Sequence, residues 1–449
     1  MDLDNIIKEN KEELIENLKR LVSYKSVVSE PQDNAPFGKE NAKCLKEALK
    51  MAEKYGFKTK NLDNYCGYAE IGEGKEIIGI AAHLDVVPEG NGWYTDPFCA
   101  TIKDNKIYAR GVSDNKGALV ASMLALKIVK DLNVPLNKRV RLIMGCAEET
   151  GSQCMRYYVE KEGNFNIGFT PDATFPCVHG EKGHIRAKFK STRTSIIDIK
   201  GGTVDNAVCD KCTIKIKSGT YNRDLLEKYF YNKDIKFNIE QKNELDIIDV
   251  NGIAAHASTP DLGENAIMYL MKGLKEANYI DEFVEYYCDR FNFINDGNGF
   301  GLKCRDEYGE LTCVNGTIRM ENGSIIGSID IRVPVSLNTK DIVEKLNGIE
   351  DKRALIEIKK ATNSTYFQIE SEIVQKLLKV YQEVTGDTKN MPITMGGGTY
   401  AKTLKNCIAF GCAFPNVNNK IHEANEYVDI EELLLQVKLY VHAILELSK

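Results

Sequence analysis

The 449-residue chain is 43% hydrophobic and 28% charged, which is the composition of an ordinary globular protein. Its net charge of −6 argues against nucleic acid as the main partner, because binding phosphates requires a basic face. No stretch approaches the ~20 apolar residues of a membrane span, and the acidic N-terminus does not resemble a signal peptide. We therefore expect a cytoplasmic protein that does not associate with membranes.

The 13 cysteines are scattered along the chain and are odd in number. In a protein of this class they are expected to be reduced and mostly buried thiols. Cys209 and Cys212 form a single CxxC motif with no second pair, so a redox or metal role there is the less favoured interpretation.

The first part of the chain predicts alternating helices and buried strands. Amphipathic spacing predicts helices over about 4–22 and 38–54, and a third helix over Lys116–Lys130. Apolar runs predict buried strands at Ile77–Ala82 and Arg141–Ala147. This alternation is typical of an α/β domain with a mostly parallel central sheet flanked by helices, in which functional residues lie at the carboxyl ends of strands.

Beyond Lys182 the pattern changes to shorter alternating segments, which predicts an α+β domain. The expected strands are Ile185–Lys190, Thr213–Lys217, Leu311–Ile318 and Ser324–Ile331. The expected helices between them are Glu264–Ala277 and Thr339–Leu346. A helix at about Glu370–Thr385 and a strand at Cys407–Gly411 follow. His83 and His422 are candidate ligands of the same site, so the end of the chain must lie close to its first part. Residues 1–182 and 367–449 are therefore predicted to form one domain, with 183–366 inserted into it.

His83 and Asp85 follow the strand predicted at Ile77–Ala82. Side chains two residues apart on a strand leave the same face. A metal-bound imidazole usually has its second nitrogen held by a carboxylate, a role that Asp85 could take. The alternative is an ordinary histidine at the end of a strand.

Three further acidic residues lie at predicted turns. Asp114 precedes a helix, where it could act either as an N-cap or as a carboxylate that bridges two ions. Glu148 and Glu149 are adjacent at a strand end, so one could bind metal while the other faces a water molecule. A solvated pair of glutamates is the alternative.

Asp172 and His422 complete the series of candidate ligands. Each is a weak signal alone, but together with the earlier residues they supply enough carboxylates and imidazoles for two zinc-like ions and one general base. The order of the motifs therefore predicts a two-metal hydrolase.

The motifs HLDVVPEGNGW, YARGVSDNKG, EETG, GFTPDATFP, GEKG, GGGTY and HEANE carry a family resemblance. They resemble the metal-dependent aminoacylase and dipeptidase family that also contains acetylornithine deacetylase and succinyl-diaminopimelate desuccinylase. Within it, the chain is most similar to the PepV-type dipeptidases. The resemblance extends from about Ile7 to Leu447.

The resemblance implies that residues 1–182 and 367–449 form the catalytic domain and that this domain holds a dinuclear metal centre. His83, Asp114 and Asp172 would hold one ion, and Asp114, Glu149 and His422 the other. Zinc is the expected metal, and manganese or cobalt would also suit these ligands. A cis peptide bond after Asp114 is implied as well.

The resemblance also implies roles in catalysis and substrate binding. Glu148 would be the general base, and Asp85 would orient His83. The inserted domain becomes a lid, in which His256 would stabilise the oxyanion, Arg332 would bind the substrate carboxylate and Asn206 would contact the substrate.

The glycine-rich segment would supply backbone amides to the substrate from Gly396, Gly397, Gly398 and Thr399. Three positions depart from the family pattern. Ala118 replaces a frequent proline. Asn115 stands where aspartate is common, and His179 could either approach the site or lie at the surface.

The implied function is hydrolysis of small unblocked dipeptides by metal-activated water. Two alternatives remain open: an N-acyl-amino-acid amidohydrolase, such as a deacetylase or desuccinylase, and a catalytically silent metal-binding homologue. The resemblance implies that dimeric members have a smaller lid and borrow a histidine from the partner subunit, so the length of the inserted domain favours a monomer that supplies His256 within its own chain.

Overall fold

The computed structural model describes residues 3–449. The helices in this range are α1 (Leu3–Glu9), α2 (Lys11–Val22), α3 (Lys39–Lys54), α4 (Lys116–Asp131), α5 (Gln153–Glu162), α6 (Arg223–Asn232), α7 (Ala266–Glu276), α8 (Glu282–Arg290), α9 (Thr339–Asn347), α10 (Glu372–Thr385) and α11 (Ile430–Ser448). Short 3-10 turns occupy Pro260–Leu262, Asn298–Phe300 and Tyr400–Lys402.

The strands of the same range are β1 (Lys58–Leu62), β2 (Cys66–Ile71), β3 (Ile77–His83), β4 (Thr101–Lys103), β5 (Lys106–Tyr108), β6 (Arg139–Gly145), β7 (Ile167–Thr170), β8 (Ala173–Thr174), β9 (Val178–Glu181), β10 (Gly183–Ser191), β11 (Asp198–Gly201), β12 (Lys211–Lys217), β13 (Lys236–Lys242), β14 (Leu245–Asn251), β15 (Arg305–Asp306), β16 (Gly309–Glu310), β17 (Thr312–Val314), β18 (Ile318–Glu321), β19 (Ser324–Val333), β20 (Leu355–Thr362), β21 (Thr365–Tyr366), β22 (Ile393–Met395), β23 (Cys407–Ala409), β24 (Cys412–Ala413) and β25 (Tyr427–Asp429).

The chain divides into two compact units. The first contains the chain up to Gly180 together with Phe367–Ile393 and Gly398–Lys449, and the second contains Glu181–Tyr366 with Thr394–Gly397. Each unit has its own large hydrophobic core. The second unit is therefore an insertion in the sequence of the first.

The first unit is built on a mixed sheet with the order β1-β2-β6-β3-β7-β23-β9. Its centre is parallel, because β3 pairs in parallel with both β6 and β7, and β7 pairs in parallel with β23. The strands β1, β2 and β9 add antiparallel pairs at the two sides. Strand β3 is buried along its whole length and ends at His83, which places that residue at the carboxyl edge of the parallel centre.

Helices cover this sheet through apolar faces. Helix α4 packs against β3, β6 and α11, and α3 packs against β1 and β2. The mean hydropathy of α4 is high because small and apolar residues occupy almost every position from Lys116 to Val129, and they are buried. A helix that is apolar on most sides is stable only inside a core.

The second unit is an antiparallel sheet with the order β13-β14-β12-β11-β18-β19-β10-β20, to which β17 adds alongside β19. Helix α7 packs against β12 and β14, and α6 and α8 pack against α7. Buried and exposed residues alternate along β10 and β12, which is typical of a sheet covered on one face. The predicted fold class, an α/β domain with a mostly parallel central sheet and an inserted α+β domain, is confirmed.

Two predicted elements are interrupted in the structure. The helix expected over 4–22 is two helices, because the Asn10 side chain donates to the Ile6 carbonyl at 2.8 Å and competes with the helical pattern. The single strand expected over Leu311–Ile318 is also two. Between them the Asn315 amide donates to the carbonyls of Thr317 and Ser328, at 2.8 Å each.

The long C-terminal helix α11 was absent from the sequence interpretation. The 13 cysteines are free thiols, and all except Cys99 and Cys304 are buried. No helix within residues 3–449 is both long enough and apolar enough to cross a membrane.

Candidate metal centre

His83 is held in one tautomer by the end of its own strand. The ring is buried, and its Nδ1 lies 2.8 Å from the backbone carbonyl oxygen of Asp85. A carbonyl oxygen can only accept, so Nδ1 carries the proton and donates it. In the neutral imidazole Nε2 is therefore the nitrogen with a free lone pair, and it points toward Asp114 and Asp172.

Asp85 contributes to the site in a different way from the sequence expectation. Its nearer carboxylate oxygen is 3.6 Å from His83 Nδ1, farther than its own backbone carbonyl. The carboxylate instead accepts hydrogen bonds from the backbone N–H groups of Glu148, at 3.0 Å, and Glu149, at 3.1 Å. Asp85 thus orients His83 through its main chain and fixes the glutamate pair through its side chain.

Asp114 lies between two imidazoles. Its Oδ1 is 3.0 Å from His83 Nε2, and its Oδ2 is 2.9 Å from His422 Nε2. Burial disfavours its charged form, but hydrogen bonds and charge attraction from the two imidazoles in their protonated forms outweigh burial and lower the pKa of Asp114. The N-cap position of α4 is occupied by Asn115, so Asp114 is not the cap of that helix. Its peptide bond to Asn115 is cis, as the family resemblance implied.

The other predicted ligands complete two groups around Asp114. Asp172 Oδ1 lies 3.6 Å from His83 Nε2, and Glu149 Oε1 lies 3.2 Å from His422 Nε2. Ligand atoms of His83, Asp114 and Glu149 all fall within 4.8 Å of one another. The structure therefore brings together the five side chains predicted to hold two ions. His422 is 52% exposed, so its side of the cluster is open to solvent.

Glu148 lies on the other side of the cluster. Its carboxylate falls within 4.8 Å of ligand atoms of His83 and Asp172. Burial, reinforced by the charge of Asp172, raises the pKa of Glu148 well above its ordinary value. Burial also raises the pKa of Asp172 to about 7, an effect that His83 opposes. Both shifts come first from the loss of solvent around the buried carboxylates and then from the negative charge of neighbouring carboxylates.

The donor set fits a pair of divalent cations. Five carboxylates, those of Asp85, Asp114, Glu148, Glu149 and Asp172, surround two imidazoles. Such crowding of negative charge is unfavourable without a counter-charge, and two divalent ions would supply it. Oxygen and imidazole ligands suit zinc, manganese and cobalt. The residues present therefore fit two divalent ions.

Asn115 links the two sides of this centre, a role that sequence reasoning missed. Its Oδ1 accepts from the backbone N–H of His83 at 3.2 Å, and its Nδ2 donates to the carbonyl of Pro171 at 2.6 Å. Nδ2 is also 3.4 Å from Asp172 Oδ1. An aspartate would lack the donor for these contacts, which explains how this departure from the family pattern is accommodated. The sequence feature that could have indicated this role is the position of Asn115 directly after the predicted ligand Asp114.

The predicted substrate-binding residues of the second unit form a group of their own. The backbone N–H of Ala257 donates to the carbonyl of Asn206 at 2.9 Å, and His256 forms a β-bridge with Ala207. His256 is exposed, and its Nδ1 is 2.6 Å from Ser258 Oγ. The Cα of Gly396 is so close to Ser258 that a Cβ there would lie 2.1 Å from the serine Cβ.

Arg332 is buried in β19 and already uses part of its guanidinium. Its Nε and Nη2 donate to the carboxylate of Asp330 at 2.6 and 3.2 Å, and its Nη1 donates to the carbonyl of Gly396 at 2.8 Å. A guanidinium has five N–H donors, so two remain for a ligand. His184 Nε2 lies 2.7 Å from Asp330 Oδ2 and extends this network.

The predicted residues of the glycine-rich segment are divided between the two units, and His179 lies in the first unit. Gly397 belongs to the second unit, whereas Gly398 and Thr399 belong to the first. Thr399 is buried, and its side chain caps the Tyr400–Lys402 turn by accepting from the Ala401 N–H at 3.1 Å. His179 is buried, and its Nδ1 contacts the carbonyl of Phe367 at 2.7 Å, which excludes the surface position, one of the two alternatives left open for it.

Comparison with known proteins decides the family. Residues 79–446 match the model described as Peptidase family M20/M25/M40, a stretch that includes every candidate ligand from His83 to His422. The chain belongs to this peptidase family. The family resemblance found in the sequence is confirmed, and this peptidase is a hydrolase of peptide bonds.

Its relatives include a Bacillus subtilis (strain 168) protein named "Putative dipeptidase YtjP", which is 36% identical over 463 residues and matches across 98% of both chains. Two solved structures share the fold of this peptidase. Human carnosine dipeptidase 1 has a TM-score of 0.62 at 16% identity, with 99% and 98% of the two chains covered. An M20 family metallo-carboxypeptidase from Sulfolobus solfataricus has a TM-score of 0.59 at 18% identity, with 97% and 99% covered.

Proposed function

We propose that this peptidase is a dinuclear metal-dependent dipeptidase that hydrolyses small unblocked dipeptides. The observation that carries the proposal is the position of Asp114, whose two carboxylate oxygens face two different imidazoles at 3.0 and 2.9 Å. That arrangement suits a carboxylate shared by two ions. His83, Asp114 and Asp172 would hold one ion, and Asp114, Glu149 and His422 the other. Zinc is the expected metal.

The ions would supply Lewis-acid polarisation of the scissile carbonyl and a lower pKa for the attacking water. Glu148 would accept the proton of that water as its oxygen attacks the carbonyl carbon. Glu148 would then deliver the proton to the amine nitrogen as the C–N bond breaks, leaving a carboxylic acid and an amine, and transfer of the remaining water proton to the amine gives the carboxylate and the ammonium. Burial raises the pKa of Glu148 above its ordinary value, which suits a group that has to hold a proton before it passes it on.

The second unit would act as a lid that contributes to substrate recognition. His256 would stabilise the negative charge that develops on the carbonyl oxygen, and the two remaining donors of Arg332 would bind the substrate's C-terminal carboxylate. Asn206 would contribute a substrate contact, as would the backbone of Gly397, Gly398 and Thr399. The buried pair with Asp330 supports this role for Arg332 because it holds the guanidinium in one orientation.

The relatives support a dipeptidase over other peptidases. The Bacillus subtilis relative carries a dipeptidase name and matches almost end to end. The structural neighbours include both a dipeptidase and a metallo-carboxypeptidase, so the fold alone leaves the substrate class open. The choice therefore depends on a direct measurement.

The test is hydrolysis of a substrate panel by the metal-free protein reloaded with zinc, manganese or cobalt. The panel contains free dipeptides, tripeptides, N-acetyl-ornithine and N-succinyl-diaminopimelate. We expect cleavage of dipeptides alone, abolished by chelator and restored by metal. Cleavage of an acylated amino acid instead would assign the protein to the amidohydrolases, and inactivity with two ions bound would show a silent homologue.

A further inference from the structure

Glu426 is a fully buried carboxylate that lies four residues after His422 and is saturated with hydrogen-bond donors. Its Oε1 accepts from the backbone N–H groups of Ser113, at 2.9 Å, and Asp114, at 3.0 Å. Its Oε2 accepts from the backbone N–H of Gly111 at 3.0 Å and from Arg110 Nη1 at 2.7 Å. One side chain therefore accepts from three of the four backbone N–H groups between Gly111 and Asp114, and the fourth, that of Val112, donates to the Ala109 carbonyl.

The backbone between Gly111 and Gly117 forms a tight turn. Gly111 has a φ of +88°, in the left-handed region that favours glycine. A Cβ on Gly117 would lie 2.0 Å from the carbonyl oxygen of Val112, so the segment folds back tightly on itself. Successive N–H groups that converge in such a turn form a concave site for an anion. Glu426 supplies that anion from within the protein.

The partner of Glu426 is itself fixed on several sides. Arg110 is 1% exposed, and its Nη2 donates to the carbonyl of Glu89 at 3.3 Å. Its guanidinium lies 5.3 Å from the Trp93 ring centre. The neighbouring Asn425 side chain accepts from the Tyr94 N–H at 2.9 Å and donates to the Gly92 carbonyl at 3.0 Å. Hydrogen bonds of two adjacent side chains, Asn425 and Glu426, therefore hold the segment 422–426 in place.

A stabilising role does not by itself account for this arrangement. Buried ion pairs gain little over apolar packing, because the cost of desolvating both charges offsets their attraction. The contact has a specific geometric result instead. It fixes the main chain of Asp114 relative to the segment that carries His422, and these two side chains meet at 2.9 Å.

We propose that Glu426 is a positioning residue that sets the distance between Asp114 and His422 and thereby shapes the shared metal site. The proposal rests on the dinuclear centre of the proposed function, and it assigns to this chain a supporting carboxylate that binds no ion itself. Supporting residues of this kind typically change metal affinity by about 10- to 100-fold.

The test compares Glu426→Gln with Glu423→Gln, a matched control at an exposed position of the same segment. A glutamine at 426 places an NH₂ group against backbone N–H donors and leaves at least one of them without an acceptor. Metal-free proteins are titrated with Co²⁺, and the visible absorption spectrum and chelator competition are recorded alongside circular dichroism.

We expect Glu426→Gln to keep its folded circular dichroism spectrum, to bind Co²⁺ about 10-fold or more weakly and to show an altered cobalt absorption band. Glu423→Gln should match the wild type in all three. If Glu426→Gln does not fold, Glu426→Asp is measured in the same way, because it keeps the charge but shortens the reach of the carboxylate. A native cobalt spectrum and affinity in the folded variant would overturn the proposal, whatever its thermal stability.

These readouts need no substrate, so the proposal is separate from the choice of dipeptides. Wild-type protein that cleaves none of the panel but shows the expected cobalt changes would refute the dipeptidase assignment and support the role of Glu426. Wild-type protein that binds no Co²⁺ would refute the metal centre and the role of Glu426 together.

Discussion

The carboxylate of Asp85 accepts a hydrogen bond from the backbone N–H of Glu148 at 3.0 Å, and so links the end of β3 to the turn that carries the proposed general base. Its second oxygen accepts from the N–H of Glu149. Burial raises the pKa of Asp85 to about 6, which His83 and the two amides oppose. Asp85 therefore positions three residues of the candidate site, Glu148 and Glu149 through its side chain and His83 through its main-chain carbonyl.

Replacing Asp85 by asparagine should disturb both glutamates. An amide has only one oxygen, so its NH₂ group would face one of the two backbone N–H donors. We expect metal affinity to fall by about 10- to 100-fold, together with a loss of turnover. Chelator competition on the folded protein measures the first effect, and the exposed Asp104→Asn serves as the control. Wild-type affinity in Asp85→Asn would contradict this role.

Replacing Glu148 by glutamine should separate chemistry from metal binding. The variant cannot accept a proton from water, and general acid–base catalysis typically contributes about 10²- to 10⁴-fold to the rate. We expect kcat to fall by that range while two ions remain bound, as measured by steady-state kinetics and elemental analysis. Glu149→Gln is the comparison, because loss of a ligand should reduce metal content as well. Near-normal turnover by Glu148→Gln would exclude it as the base.

Removing His422 should empty only one of the two sites. Its ring is half exposed and lies in a loop, so the fold does not depend on it. We expect His422→Gln to bind one ion instead of two and to lose activity, with an unchanged circular dichroism spectrum. Isothermal titration of the metal-free protein gives the stoichiometry. Two ions of wild-type affinity in the variant would show that His422 is not a ligand.

The proposed monomer can be tested by mixing two inactive variants. If His256 serves the metal centre of its own chain, a mixture of His256→Ala and Glu148→Ala proteins should remain inactive. The measurement is dipeptide hydrolysis after the two proteins are unfolded and refolded together. Recovery of activity would mean that a partner subunit supplies the histidine, and the monomer proposal would fail.

His184 should make the stability of the protein sensitive to acid. Burial lowers the pKa of His184 below its unfolded value of about 6.5, although Asp330 opposes this effect. As the pH falls below about 7, the unfolded chain binds a proton that the folded chain takes up only at lower pH, so stability falls. Its contribution is therefore largest above that pH.

His184→Gln should accordingly lower the melting temperature at pH 8, where it removes a hydrogen bond to the Asp330 carboxylate that is worth about 1.5–3 kcal/mol. The difference from wild type should shrink between pH 7 and pH 5, because the variant lacks the group that takes up the proton. Thermal unfolding at several pH values measures this trend. A difference that widens toward pH 5 would reverse the sign of the pKa shift.

Much of the fold could be predicted because its signals are local. The apolar run ending at His83 predicted β3 to within a residue, and the small and apolar residues after Asn115 predicted α4. The errors came from side chains that compete for backbone partners. Asn10 ends a helix and Asn315 interrupts a strand, and the identity of a residue does not reveal which carbonyl its amide will bind.

The sequence by itself determined the family, the parallel centre of the first unit and the set of candidate ligands. The family and the ligand set follow from the resemblance of the motifs to a known family, and the parallel centre follows from residue order and hydrophobic period, which are properties of neighbouring positions. Only the tertiary structure decided that Asp85 binds His83 through its main chain and that Asn115 ties His83 to the Pro171 loop. It alone brought Glu426 to Arg110, 316 positions away in the chain. Contacts between segments so far apart in the chain depend on how the elements that carry them pack together. A pattern of neighbouring residues does not specify that packing.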